Sequence, residues 1–216
     1  MWVVYAFSAA LFAGITSVLA KIGIKDTDSN LATALRTIVV AAFAWLMVFA
    51  VGSQSGITGI SAKSTVFLVL SGLATGCSWL CYFRALKLGD VSKVVPVDKS
   101  STVLTMLMSF ILLGEGLTWL KAAGMILIGA GTYSMIQRKA ESRDGRKGVS
   151  GWLFYASLSA VFASLTAILA KVGIADVEAN LGTAIRTAVV LAMAWIIVAV
   201  NGKQREIKSI GRRSWV

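Results

Sequence analysis

Apolar runs long enough to cross a bilayer recur seven times along the chain: Trp2–Ile24, Leu31–Val51, Thr65–Leu86, Ser92–Leu113, Leu117–Ile136, Trp152–Ile174 and Leu181–Val200. A hydrocarbon core about 30 Å thick takes roughly 20 residues of helix, so each run predicts a membrane-spanning helix. The connections are short except for RKAESRDGRKGVS over 138–150, which reads as a polar linker. The first run is not a cleavable signal, because no basic residue precedes it and it exceeds a signal's apolar region. Gly72 and Gly76 in the third run, and Gly124, Gly129 and Gly131 in the fifth, predict places where helix backbones approach closely.

Sliding the sequence against itself by about 150 positions exposes a duplication. LAKIGIKDTDSNLATALRT from Leu19 falls on LAKVGIADVEANLGTAIRT from Leu169, and residues 2–66 share 31 identities with residues 152–216 over 65 ungapped positions. The unit is therefore five spans long in its first copy, and the second copy stops where its third span would begin. This predicts a truncated version of a protein of about 286 residues with ten spans. The chain divides into 1–137, a first five-helix repeat; 138–150, a basic linker; and 151–216, a partial second repeat of two helices with a basic tail.

Composition removes the soluble alternatives. The chain is 57% hydrophobic and 14% charged with a single proline, whereas soluble domains run near 45–50% apolar and about 25% charged. A soluble enzyme or a disordered tail is excluded. The net charge of +11 would suit nucleic acid, but its distribution points to membrane topology. With the amino terminus outside, 15 of the 21 basic residues fall at cytoplasmic ends, including the 138–150 linker and the tail after Lys203. Basic residues favour cytoplasmic loops. The copies also differ in opposite directions: Lys63 is alone in its connection while the matching segment of copy two carries five basic residues, and Lys25 is matched by Ala175. An odd number of spans per unit and opposed charge bias predict two inverted copies. Inverted repeats recur in secondary transporters, with a site near the midplane at the repeat interface.

The run SNLATALRTIVVAAFAW, then SGLATGCSWLCYFRALKLGDVSKVVPVDKSS, then LLGEGL and GAGTYSM, resembles the EamA-type members of the drug/metabolite transporter superfamily. The resemblance implies an all-α integral membrane transporter of five plus five inverted helices. It implies carriage of small metabolites such as amino acids, or export of toxic compounds. Relatives built as single five-span units must pair to form a pathway, so a homodimer stays open as an assembly here.

Ionisable groups inside a span are functional candidates by default, because burying them in lipid is costly. The strongest constellation is Pro96-Val97-Asp98-Lys99-Ser100-Ser101-Thr102. A fourth span starting only after Lys99 would be about 14 residues, roughly 21 Å, too short to cross. Asp98 and Lys99 therefore dip below the surface, and Pro96 is expected to break the helix beside them. Ser101 joins the same stretch. Arg36 and its duplicate Arg186 sit inside their spans, and an arginine fork suits a carboxylate or phosphate. The alternatives for Arg36 are snorkelling to the interface or pairing with Asp26 or Asp28. Trp79 and Tyr82 on the third span could stack on a substrate. Lys21 and Lys171 read as topology anchors, Trp2, Trp152, Tyr5 and Tyr155 as an interfacial aromatic belt, and Glu115 as a solvated cap in a tight turn.

Cys77 and Cys81, four apart in an apolar run, do not suggest a disulfide framework or a zinc site, and histidine is absent. No metal, cofactor or nucleic-acid partner is expected, and nothing supports enzyme activity. The chain reads as a secondary transporter or exporter of amino-acid-like, zwitterionic or anionic metabolites in the bacterial inner membrane, working by alternating access, with a proton or other ion as coupling partner left open. Two rivals remain: a proton-coupled multidrug exporter of the same fold, and a structural membrane subunit with no path of its own.

Overall fold

The structure is a computed structural model that describes residues 2–24, 28–137 and 149–203. These residues are mostly helical and carry no strand. The elements are α1 (Trp2–Gly23), α2 (Ser29–Val51), α3 (Ala62–Leu88), α4 (Val91–Lys99), α5 (Ser101–Leu113), α6 (Trp119–Gln137), α7 (Val149–Gly173) and α8 (Ala179–Val200), with a short 3-10 segment Ser53–Gly59 after α2. Among the described residues six stretches are long and apolar enough to span a membrane: α1, α2, α3, the consecutive Val91–Leu113 path through α4 and α5, α7 and α8. The seventh predicted run forms α6, but Lys121, Thr132, Tyr133, Ser134 and Gln137 dilute its hydropathy and it falls outside that set. The predicted linker lies outside the described residues except for Val149 and Ser150, which begin α7, as does the predicted tail beyond Lys203.

Local signals set the helix ends. Asp28 caps α2, its Oδ1 accepting from the backbone N–H of Asn30 at 2.9 Å and of Leu31 at 3.4 Å. Its counterpart in the second copy, Glu178, caps α8 by accepting from the Leu181 N–H at 3.0 Å. Such caps satisfy donors that have no partner within the first turn. At the other end of α2, Gly52 takes a left-handed φ of 78°, a conformation that suits glycine because a Cβ would be strained there.

The packing pairs each copy with the other. The two most extensive contacts are α3 with α7 and α2 with α8. In the second pair the helices run antiparallel. Leu31 and Ala34 near the start of α2 pack with Ala194 and Val198 near the end of α8. Val48 near the end of α2 packs with Leu181 and Ala184 near the start of α8, with Ala44 beside them. Adding 150 to each residue of copy one, or subtracting it in copy two, turns the first cluster into the second. A patch that meets its own counterpart in this way is the geometry of a two-fold interface.

Glycines seat α3 on α8. A Cβ at Gly72 would lie 2.7 Å from Val189 Cβ and 2.9 Å from the Arg186 carbonyl oxygen, and one at Gly76 would meet the Met193 methyl at 2.2 Å. The fifth-run glycines do not mark contacts as expected: at Gly124, Gly129 and Gly131 nothing lies within 4 Å of an added Cβ. The aromatic-belt reading also changes for Trp152, which is buried and packs against Gly89 at the end of α3.

The duplicated helices α1 and α7 are covered very differently. On α7, Trp152, Ala156, Ser159 and Ala160 are buried against neighbouring helices. Residues 3–16 of α1 are all exposed. The lysines near the ends of these two helices are also used differently. Lys21 donates to the carbonyls of Leu86 and Gly89, the latter at 2.7 Å, and so closes the C-terminus of α3. Lys171 pairs with Glu115 in the α5–α6 connection, where Lys121 stands 3.7 Å from the same carboxylate. Glu115 is therefore an ion-pair hub between helices rather than a merely solvated cap.

Candidate functional site

Arg36, Trp79, Tyr82, Asp98, Lys99 and Ser101 line one cavity of about 190 Å³, together with Thr16, Ser17 and Ser78. Four different spans of the first copy supply these side chains, and Ala163 of α7 closes one wall. Each arrives by a simple local device.

The α4–α5 junction delivers Asp98 and Lys99. The helix continues through Pro96 and is interrupted four residues later, at Ser100, where the backbone tightens: the Ser100 N–H donates to the carbonyls of Pro96 at 3.0 Å and Val97 at 3.2 Å. The Ser100 hydroxyl donates to the Val97 carbonyl at 2.6 Å. Proline removes one N–H donor and crowds the preceding turn, so the stretch around it carries the irregularity without ending the span. The expected break therefore lies after Asp98 and Lys99 rather than before them.

Asp98 is buried, with 7% of its surface exposed. It holds two partners: the Ser159 hydroxyl donates to its Oδ1 at 2.6 Å, and Lys99 Nζ lies 3.4 Å from its Oδ2. The Lys99 side chain is 60% exposed, so it enters the cavity from an accessible edge. Ser159 in turn meets Ser78 of α3, whose hydroxyl donates to the Ser159 carbonyl at 3.0 Å. The Ser159 hydroxyl also lies 3.0 Å from the Ser78 carbonyl, but it carries one proton. The shorter, charge-assisted bond to Asp98 is the stronger use of it.

Arg36 projects from α2 over the Trp79 ring, its guanidinium carbon 4.8 Å from the ring centroid and 5.6 Å from that of Phe83. Among the described residues no carboxylate forms an ion pair with it. Asp28, one of the partners considered from sequence, is occupied as the cap of α2, and Asp26 lies outside the described residues. Stacking on two rings fixes the plane of the fork and leaves its edge donors for a ligand. Tyr82 donates its hydroxyl proton to Ser17 Oγ at 2.9 Å, which ties α3 to α1 along the wall. The cavity thus combines two cations with one carboxylate between an indole and a phenol. That set can accept a carboxylate at the arginine fork and an ammonium at Asp98.

Arg186 is not in this cavity. Since α2 and α8 run antiparallel, the two duplicated arginines sit toward opposite ends of the pair. Arg186 donates to Thr75 Oγ1 at 3.2 Å, beside a cluster in which the Ser71 hydroxyl donates to the Thr166 carbonyl at 2.9 Å. Ser17, Ser78 and Ser159 were not singled out from the sequence. A usable signal existed: Ser71, Thr75 and Ser78 fall at spacings of four and seven, a polar stripe on one face of an otherwise apolar helix. The described residues hold no group of three His, Cys, Asp or Glu side chains arranged for a metal ion.

Residues 1–137 match the EamA-like transporter family. The chain is also 42% identical over 130 residues to a Sinorhizobium sp protein described as "Uncharacterized transporter in cobO 3'region". That alignment takes in 60% of this chain and 92% of the relative.

Proposed function

The chain belongs to the EamA-like transporter family and is a membrane transporter, and from that premise we propose that it carries small zwitterionic or anionic, amino-acid-like metabolites by alternating access. The observation that carries this reading is the single cavity that joins Arg36, Trp79, Asp98 and Lys99. Buried charge in a span is costly, and here it is held in place by Ser159 and by the Trp79 ring while facing open space. A structural subunit would have no use for a polar cavity so arranged. The polar lining also favours a charged metabolite over a broad range of apolar compounds.

Two inverted copies of one unit would provide the moving parts. Supporting this are the opposed charge bias of the copies and the exchange of clusters between α2 and α8, in which Leu31 meets Val198 while Leu181 meets Val48. Uptake of labelled amino acids and of organic cations into proteoliposomes holding the full chain tests the substrate class. Saturable uptake of the amino acids, at least tenfold above that of the cations, is expected. Preference for the cations would replace this reading with multidrug export, and no uptake of either would remove it.

The same reading places the protein in the bacterial inner membrane with its amino terminus outside, following the position of its basic residues. Ser55, exposed in the connection after α2, then faces outward. A Ser55→Cys variant in intact spheroplasts should react fully with a membrane-impermeant maleimide. Labelling only after lysis would reverse the orientation.

A further inference from the structure

Beside the polar cavity lies a second, apolar one of about 480 Å³ between α1, α4 and α6. Gly14, Val95, Pro96, Ile128, Gly131 and Met135 form most of its wall. The two spaces share Ser17 and Lys99, so they meet at the exposed edge of the charged site. The hydroxyls at the meeting point are already engaged: Ser17 donates to the Ala13 carbonyl at 2.8 Å and accepts from Tyr82, and Thr132 donates to the Pro96 carbonyl at 3.4 Å. What remains open to a guest is therefore hydrocarbon surface with one lysine at its mouth.

We propose that the transported species bears an apolar tail, branched or aromatic, which occupies this crevice while its charged head sits between Arg36 and Asp98. The proposal rests on the transporter reading above and narrows its substrate class. The polar cavity, of about 190 Å³, holds the charged groups. The crevice is more than twice that size. Each methylene moved from water into such a space tightens binding about fourfold, so a tail of three or four carbons dominates the choice between substrates that share one head group.

Gly14 and Gly131 keep the crevice open. An added Cβ at either position has nothing within 4 Å, and neither has a left-handed backbone. Larger side chains there would fill the space without pressing on the fold. Gly124, on the same helix as Gly131 and also without neighbours within 4 Å, lies outside the crevice lining and serves as a control.

The test uses the full chain in proteoliposomes with labelled alanine, leucine and phenylalanine. Wild type is expected to take up leucine and phenylalanine at least tenfold more efficiently than alanine. Gly131→Leu and Gly14→Leu should each lower the leucine-to-alanine ratio at least tenfold, and Gly124→Leu should leave that ratio unchanged. An unchanged ratio in both crevice variants would overturn the proposal and leave bilayer acyl chains as the occupant. Wild-type uptake without discrimination by tail would overturn it while sparing the transporter reading. Absence of uptake of all three amino acids would overturn both.

Discussion

Arg36→Ala should cut uptake of zwitterionic substrates at least 30-fold, with Arg36→Lys recovering only part of the loss. The guanidinium is held by two ring faces, at 4.8 and 5.6 Å, and has no carboxylate ion pair among the described residues. Removing it deletes the fork proposed to meet a substrate carboxylate, while Asp98 keeps Ser159 and Lys99, so the expected defect is one of binding rather than folding. Losing one partner of a desolvated, hydrogen-bonded charge pair costs about 2–5 kcal/mol, and each 1.4 kcal/mol is a factor of ten. Lysine restores the charge but neither the planar fork nor the stacking. Uptake kinetics in proteoliposomes, with circular dichroism to confirm folding, measure the effect. A drop below threefold for Arg36→Ala would remove this residue from the site. Ser159→Ala should be weaker, roughly tenfold, because a hydrogen bond to a charged group is worth about 1.5–3 kcal/mol and Lys99 still holds Asp98. The counterpart of Ser159 in the first copy is already Ala9.

Gly72→Ala should be the most destabilising single-methyl change in the protein. The new carbon would sit 2.7 Å from Val189 Cβ and 2.9 Å from the Arg186 backbone oxygen. Neither neighbour is a flexible chain end, so α3 and α8 must part. Overpacking of this kind costs about 1–3 kcal/mol, and parting the helices also strains the Arg186–Thr75 hydrogen bond. At Gly76 the obstacle is the terminal methyl of Met193, which can swing aside, so Gly76→Ala should cost less. Gly124→Ala has open space and gains helix propensity of up to about 1 kcal/mol. Unfolding of the three variants by SDS titration in mixed micelles should therefore rank Gly72→Ala below Gly76→Ala below Gly124→Ala. Equal stability for Gly72→Ala and Gly124→Ala would mean that α3 and α8 do not pack as described.

Much of this architecture is legible in the sequence because lipid imposes few solutions. With no water to satisfy the backbone, each long apolar run must become a helix, and the spans through α3 follow. The α6 run was the weakest on the same grounds, since its polar residues dilute it. Residues of the polar cavity are legible where they break the apolar rule: Arg36, Asp98 and Lys99 are charges in spans, and Trp79 and Tyr82 are large rings on one span. Their meeting in one cavity was not legible, because it depends on which face of each helix turns inward. Ser17, Ser78 and Ser159 carry no such mark, because hydroxyls are ordinary in membrane helices and can bond to their own backbone. Arg186 was grouped with Arg36 by sequence identity, but the antiparallel pairing of α2 with α8 sends identical positions to opposite ends. The glycines of α6 show the limit of composition most clearly: of the five glycines expected at helix contacts, only Gly72 and Gly76 have a helix against an added Cβ.

The engagement of α3 by α7 sets an order on biosynthesis. Leu88 ends the helix that receives α7, and Gly173, the last residue of α7, is made about 85 residues later. At about 5–20 residues per second, that interval is roughly 4–17 s. Throughout it, Ser71 and Ser78 lack the Thr166 and Ser159 carbonyls that accept from them in the finished protein. Their hydroxyls can turn only to their own helix, as Thr75 does toward the Ser71 carbonyl at 2.7 Å. The Asp98 carboxylate waits 61 residues for Ser159, roughly 3–12 s at the same rate. The first unit to be synthesised is thus completed by the second, and a ribosome stalled in the linker would leave a charged pocket in the membrane with no α7 to close it.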